Sequence, residues 1–160
     1  MANIGYVDTA YADEYVQLHY RSTDSLRLGW EALETADKEA LLRQSFEAMD
    51  LLPFCGHKSS CTQQLAFPRW PDEDVPDSVK NAQVENAVSL ADTSSAEDAE
   101  TYERMRRYGV TSYTIGNLSE SLGSTSAETE AALNGIVSAK SWRLLQPYLR
   151  GCYRIRGGSR

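Results

Sequence analysis

The sequence predicts a mainly α fold: a small helical bundle with one inserted β-hairpin and an extended C-terminal arm. Three observations predict it. Apolar residues recur at helical spacing through most of the chain. Residues 109–122 alone read as paired strands. The last twenty residues carry five arginines and no acid. The chain has 160 residues, of which 41% are apolar, which suits one domain with a modest core. The expected division is a helical domain over 1–150, with the hairpin at about 109–122, and a flexible basic arm over 151–160.

The first helix is expected from Asp8 or Thr9 to about Arg21. Its cap is a short polar side chain, and Asp13 and Glu14 suit its early, electropositive turns. Tyr11, Tyr15 and Leu18 form its buried stripe. Residues 22–25 are a turn cluster, and Trp30 and Leu33 occupy a short segment before the next cap. Thr35 caps a second helix over about 36–52. Leu41, Leu42, Ser45, Phe46, Met49 and Leu52 give its inner face, with Ser45 the weak position, and Pro53 stops it.

A long connection follows over 54–75. Connections of that length are functional or pinned by their own side chains. Leu65, Phe67, Pro68 and Trp70 are the expected pins. Pro76 opens a third helix to about Asp92. Its stripe includes Gln83 and Asn86, which imply either a buried polar contact or an exposed edge. Thr125-Ser-Ala-Glu128 has the form of a capping box. It predicts a helix through Ala132 and Ile136, continued by Leu144, Leu145, Tyr148 and Leu149, kinked or restarted at Pro147 and ended by Gly151.

In the hairpin, Val110 to Ile115 is β-branched and aromatic, and Gly116-Asn117 is a two-residue turn. Leu118 and Leu122 fall on one face. An isolated two-stranded hairpin is marginal in water. This one therefore needs backing by helices or by another chain. Tyr113, Ile115, Leu118 and Leu122 are the expected subunit contacts.

Charge is unevenly spread. Residues 1–100 hold 19 acids and 7 Lys or Arg, whereas 101–160 hold 4 acids and 9 bases. An acidic body with a basic end points to contact between oppositely charged surfaces. The arm joins Arg150, Arg154 and Arg156 to Leu145, Tyr148, Leu149, Tyr153 and Ile155. These eight are expected to dock on a partner groove. Arg104, Arg106 and Arg107 beside Tyr108 are either a nucleic-acid contact or partners for acidic surfaces of this or a neighbouring chain.

No stretch is apolar enough to span a membrane, and the N-terminus lacks the form of a signal peptide. Cys55, Cys61 and Cys152 are expected as reduced thiols. Cys55-x-His57-x3-Cys61 is the one metal-like cluster, but a fourth zinc ligand is remote. No phosphate loop, nucleophile elbow or zinc-protease motif is present. The expectation is a protein that is not an enzyme and needs no metal or cofactor.

Several motifs carry a resemblance. Gly5-Tyr-Val-Asp-Thr-Ala-Tyr-Ala-Asp-Glu-Tyr15 is followed by Trp30, Gly56-x-Lys58, Gln64-Leu-Ala-Phe-Pro-Arg69 and Val75-Pro-Asp-Ser-Val-Lys-Asn-Ala-Gln83. This order is similar to a phage family labelled DnaT-like single-stranded-DNA-binding. Thr111-Ser-Tyr-Thr-Ile-Gly-Asn-Leu-Ser-Glu-Ser121 resembles the hairpin of tailed-phage head–tail connector adaptors, the head-completion proteins. The resemblance implies a dodecameric ring beneath the portal protein, extending the DNA channel toward a stopper or tail-completion protein. Genomic DNA would pass through without sequence-specific binding. The expected location is the virion neck, after assembly in the host cytoplasm. The alternative is a single-stranded-DNA-binding protein of phage replication.

Overall fold

The computed structural model describes residues 5–92, 112–115, 118–121 and 135–149. Helix α1 (Thr9–His19) starts where Asp8, in extended conformation, accepts the Tyr11 N–H at 2.8 Å. It ends at Tyr20, which is extended and donates its N–H to the Val16 carbonyl. Ala12, Tyr15 and Val16 face inward, while Leu18 is 74% exposed. The expected stripe through Leu18 is thus displaced. The inward face runs i, i+3, i+4 from Ala12 instead.

Helix α2 (Ser25–Glu31) occupies the segment read only as the surroundings of Trp30. Asp24 caps it by accepting the Leu26 N–H at 3.0 Å. Seven residues span two turns, too few for a periodic signal. Trp30 is fully buried, and its indole N–H donates to Asp13 Oδ1 at 2.8 Å. Helix α3 (Thr35–Asp50) lies close to the expected span, with Pro53 just beyond its end. Thr35 is not its cap: Glu34 holds that position and makes no side-chain cap hydrogen bond, so Thr35 is the first helical residue. Ser45 is not a weak position on it. The residue is buried, and its hydroxyl donates to the Gln83 carbonyl at 2.8 Å.

Helix α4 (Asp77–Ala91) is the hub. Every residue from position 82 to 88 is buried, so the helix is covered on all sides, as a central helix must be. One core cluster joins it to α3, the connection and the last helix through Met49, Phe67, Val79, Ile136 and Leu145. A second joins it to α1, α2 and α3 through Val16, Trp30, Leu42, Val84 and Val88.

Strands β1 (Ser112–Ile115) and β2 (Leu118–Ser121) pair antiparallel, with Ile115 opposite Leu118. The flanks of the expected hairpin, its turn and Leu122 lie outside the described residues. Helix α5 (Ala139–Leu149) completes the described chain. The expected continuous helix through Ile136 is not found. Gly135 has φ +82°, and residues 136–138 are irregular. Ser138 Oγ then accepts the Ser141 N–H at 3.2 Å, as an N-terminal cap does. A glycine with positive φ interrupts a right-handed helix. The residues of the capping box lie outside the described part.

Cys55 is disulfide-bonded, and Cys61 is free and exposed. The expectation of three reduced thiols is therefore corrected at Cys55. Among the described residues, no helix is long and apolar enough to cross a membrane.

Candidate functional site

Three polar side chains of α4 fasten the fold. Gln83 Oε1 accepts the Tyr6 N–H at 2.9 Å, and its amide donates to the Leu42 carbonyl at 2.9 Å. Asn86 accepts the Val137 N–H at 2.9 Å and donates to the Gly135 carbonyl at 3.1 Å. The two readings left open for these residues resolve to buried contacts. Each amide satisfies backbone groups that would otherwise be stranded away from water.

Glu85 lies between them and is 1% exposed. Tyr15 donates to its Oε1 and Tyr20 to its Oε2, both at 2.6 Å. The Lys140 ammonium also donates to Oε1 and sits over both phenol rings. Burial first, and then the bond to Glu85, push both hydroxyls well above the usual tyrosine range. The arrangement holds α1, α4 and α5 together. Its carboxylate is sealed from solvent and accepts hydrogen bonds from all three side chains.

The connection between α3 and α4 is held by Arg69. Its guanidinium donates to the carbonyls of Phe54 (3.1 Å), Cys55 (2.7 Å), Gly56 (2.6 Å) and Ala66 (3.1 Å). Phe67 is buried, with ring contacts to Tyr6, Phe54 and Tyr148 at 4.8–5.9 Å. Phe67 is thus a pin, as expected, with Leu65 and Pro68 half-buried beside it. Trp70 is not, being 75% exposed. The pin that sequence reasoning missed is Arg69. Its charge suggested a surface residue, although its planar fork of donors suits a cluster of carbonyls.

The end of α5 meets this connection. Cys55 donates its N–H to the Tyr148 carbonyl at 2.8 Å, and its Sγ lies 3.2 Å from the Leu149 oxygen. The Tyr148 hydroxyl bonds Ser78 at 2.7 Å. Leu145 is fully buried, and Tyr148 and Leu149 pack against the same core. Of these three expected docking residues, Leu145 lies in the core of this chain and Tyr148 and Leu149 are half-buried against it. Arg150, Tyr153, Arg154, Ile155 and Arg156 lie outside the described residues. Of the expected subunit contacts, Tyr113, Ile115 and Leu118 fall on β1 and β2, and Leu122 lies outside.

No group of three metal-ligating residues comes together among the described residues. Cys55 is in any case spent in its disulfide.

The electrostatics of the body oppose phosphate binding. Residues 5–92 hold sixteen carboxylates and seven Lys or Arg. Arg27 donates to Glu31 and to the carbonyls of Gln17 and Tyr20. Lys38 pairs with Asp13, Lys80 with Asp77 and Lys140 with Glu85, while Lys58 donates to the carbonyls of Gln63 and Gln64. With Arg69, six cations are committed internally. Arg21, just past α1, Arg43 on α3 and Arg143 on α5 are exposed.

A protein-family profile described as "Putative DnaT-like ssDNA binding protein" matches residues 3–152. The chain belongs to this family. No curated protein and no solved structure matches it. For this DnaT-like family member, the match spans the helical body and reaches into the basic end. The expected likeness to the DnaT-like family is thereby shown. The likeness to head–tail connector adaptors has no such support.

Glu85 was the site residue missed in the sequence. A signal existed: a carboxylate inside Val84-Glu-Asn-Ala-Val88, where apolar neighbours on both sides mark a buried stretch. No spacing rule links it to Tyr15, Tyr20 or Lys140, which lie 55–70 residues away.

Proposed function

We propose that this chain is a structural, non-catalytic adaptor of a tailed-phage neck. In this reading copies assemble beneath the portal as a ring, the hairpin region contacts neighbouring subunits, and the basic C-terminal segment reaches an acidic partner surface. One observation carries the preference: six of the nine described cations are committed within the body, whose net charge is negative. Affinity for nucleic acid rests on cations free to neutralise phosphates. The motif Thr111–Ser121, which resembles the hairpin of head–tail connector adaptors, adds support.

The second reading is single-stranded-DNA binding, and the family description speaks for it more directly than for a neck role. Its cations would come from residues 101–160, which hold nine Lys or Arg against four acids. One pair of measurements separates the two. The purified protein is titrated with a fluorescent oligonucleotide at several salt concentrations, and is also added to portal-bearing heads that lack it. Attachment to heads, without oligonucleotide affinity at physiological salt, is the expected result. A log–log salt slope of several units, without head attachment, would reverse the choice.

A further inference from the structure

We propose that the turn Arg69–Asp72, in the connection between α3 and α4, docks an arginine-bearing segment of a second protein. The arginine stacks on the Trp70 indole and pairs with the carboxylates that follow it. Trp70 is 75% exposed. Every other Phe, Tyr and Trp in residues 5–92 and 135–149 is buried or half-buried. The Trp70 ring therefore adds little to the fold of this chain. Turn corners ordinarily carry Gly, Pro, Asn, Asp or Ser. An indole beside Pro71 instead leaves a large apolar surface in water, and Trp is enriched among the residues that anchor interfaces.

The main chain is fixed on both sides of the ring. The Asp72 N–H donates to the Arg69 carbonyl at 2.7 Å, which puts Trp70 and Pro71 at the corner of the turn. Trp70 donates its own N–H to the His57 carbonyl at 2.9 Å. The Arg69 guanidinium is tied to four carbonyls, and Ser59 Oγ donates to the Asp72 carbonyl at 2.8 Å. The backbone is thus set before a partner arrives. Docking then orders little beyond the side chains themselves, which lowers its entropic cost.

Charge selects the occupant. Asp72, Glu73 and Asp74 are exposed, and none takes part in an ion pair among the described residues. The two cations of the connection, Lys58 and Arg69, are both turned to backbone carbonyls. The surface around Trp70 is therefore negative. It repels a phosphate backbone and attracts a cationic segment. A purely apolar partner would desolvate carboxylates without supplying a counter-charge. Arginine meets both demands: its flat guanidinium stacks on an indole face while its fork of donors reaches a carboxylate. Lysine's compact ammonium has neither the plane nor the fork.

The inference stands apart from the neck reading, and its test needs only the full-length protein. A fluorescein-labelled peptide of alternating arginine and glycine is titrated at physiological salt and followed by anisotropy. A peptide of alternating lysine and glycine is the control. The expected result is saturable binding of the arginine peptide and clearly weaker binding of the lysine peptide. Trp70→Ala should weaken binding by about tenfold without changing the melting temperature. Neutralising the turn with Asp72→Asn, Glu73→Gln and Asp74→Asn should do the same. Glu34→Gln, Asp37→Asn and Glu47→Gln remove the same charge from the surface of α3 and its start, and should leave affinity unchanged. Equal affinity for the two peptides, or for Trp70→Ala and wild type, would reduce the effect to bulk attraction and overturn the site. So would an equal loss in the α3 variant, or no saturation up to about 1 mM peptide. A wild-type dimer in sedimentation that Trp70→Ala dissolves would overturn it too, since a second copy would then cover the ring.

Discussion

The hydroxyl of Tyr20, the residue that ends α1, donates to Glu85 in the middle of α4 at 2.6 Å. The pair fixes where α1 stops against the central helix. Tyr15 supplies the other carboxylate oxygen with its partner, and Lys140 brings the start of α5 to the same group. Three segments far apart in sequence thus meet at one buried carboxylate.

Glu85→Ala should be strongly destabilising. It leaves two buried or half-buried phenol hydroxyls without acceptors and removes the counter-charge of Lys140. Loss of a buried ionic partner costs about 3–5 kcal/mol. Lys140 is half exposed and can rehydrate, so a value near ~3 kcal/mol is expected from urea unfolding. Lys140→Met should cost clearly less, because both phenols keep their acceptor.

Alkaline pH should unfold the protein through its tyrosines. Burial pushes the Tyr6 hydroxyl up to about 12, and Tyr15 and Tyr20 are raised further. In the unfolded chain these groups titrate near their ordinary value of about 10. The folded state therefore holds its protons more tightly over this range. The resulting stability is fully present below about pH 10 and is lost as pH rises toward 12 and beyond. Absorbance at 295 nm should show a fast early phase from exposed tyrosines and a late phase coincident with loss of helical circular dichroism. A single phase complete before unfolding would show that the three hydroxyls are not protected.

Much of the fold was legible because it rests on local signals. The span of α3 follows from its apolar face and Pro53, and that of α4 from Pro76 and its apolar stripe. What was illegible depended on distant partners. Whether Gln83 and Asn86 faced a buried contact or an exposed edge depends on Tyr6, Leu42 and Gly135, which no local pattern connects. Leu18 fits the stripe of α1 as well as Val16 does, and the choice between them is made by packing against α4. The predicted helix does not run through Gly135, whose positive φ no local pattern announced. For the candidate site, the apolar character of Leu145, Tyr148 and Leu149 was legible, but their destination was not. Apolar residues beside arginines look the same whether they pack on their own chain or on a partner.

The connection offers a direct contrast between two aromatic residues three apart. Phe67 is enclosed by three rings, so Phe67→Ala should cost roughly 3–5 kcal/mol, as large core truncations do. Trp70 is 75% exposed, so Trp70→Ala should stay within about 0.5 kcal/mol. Chemical denaturation of both variants provides the check. A large loss at Trp70 would mean that its ring is covered in solution.

Gly5→Ala tests how tightly the N-terminal segment is clamped. Gly5 has φ +124°, a region that side chains with a Cβ rarely enter. A Cβ there would also stand 2.6 Å from the Gln83 amide nitrogen and 2.8 Å from Phe46 Cβ. Neither neighbour is free to yield: Gln83 bonds both Tyr6 and Leu42, and the Phe46 ring packs edge-on against Tyr6 at 5.2 Å. The variant must therefore shift the backbone at Tyr6 and weaken its bond to Gln83. Backbone strain of this kind costs of order 1–3 kcal/mol, and a lost buried hydrogen bond adds about 1 kcal/mol. The expected sum is about 2–4 kcal/mol, read from the unfolding midpoint, with exchange protection falling first at the Tyr6 amide. Wild-type stability in Gly5→Ala would show that the segment before α1 is not held against α3 and α4.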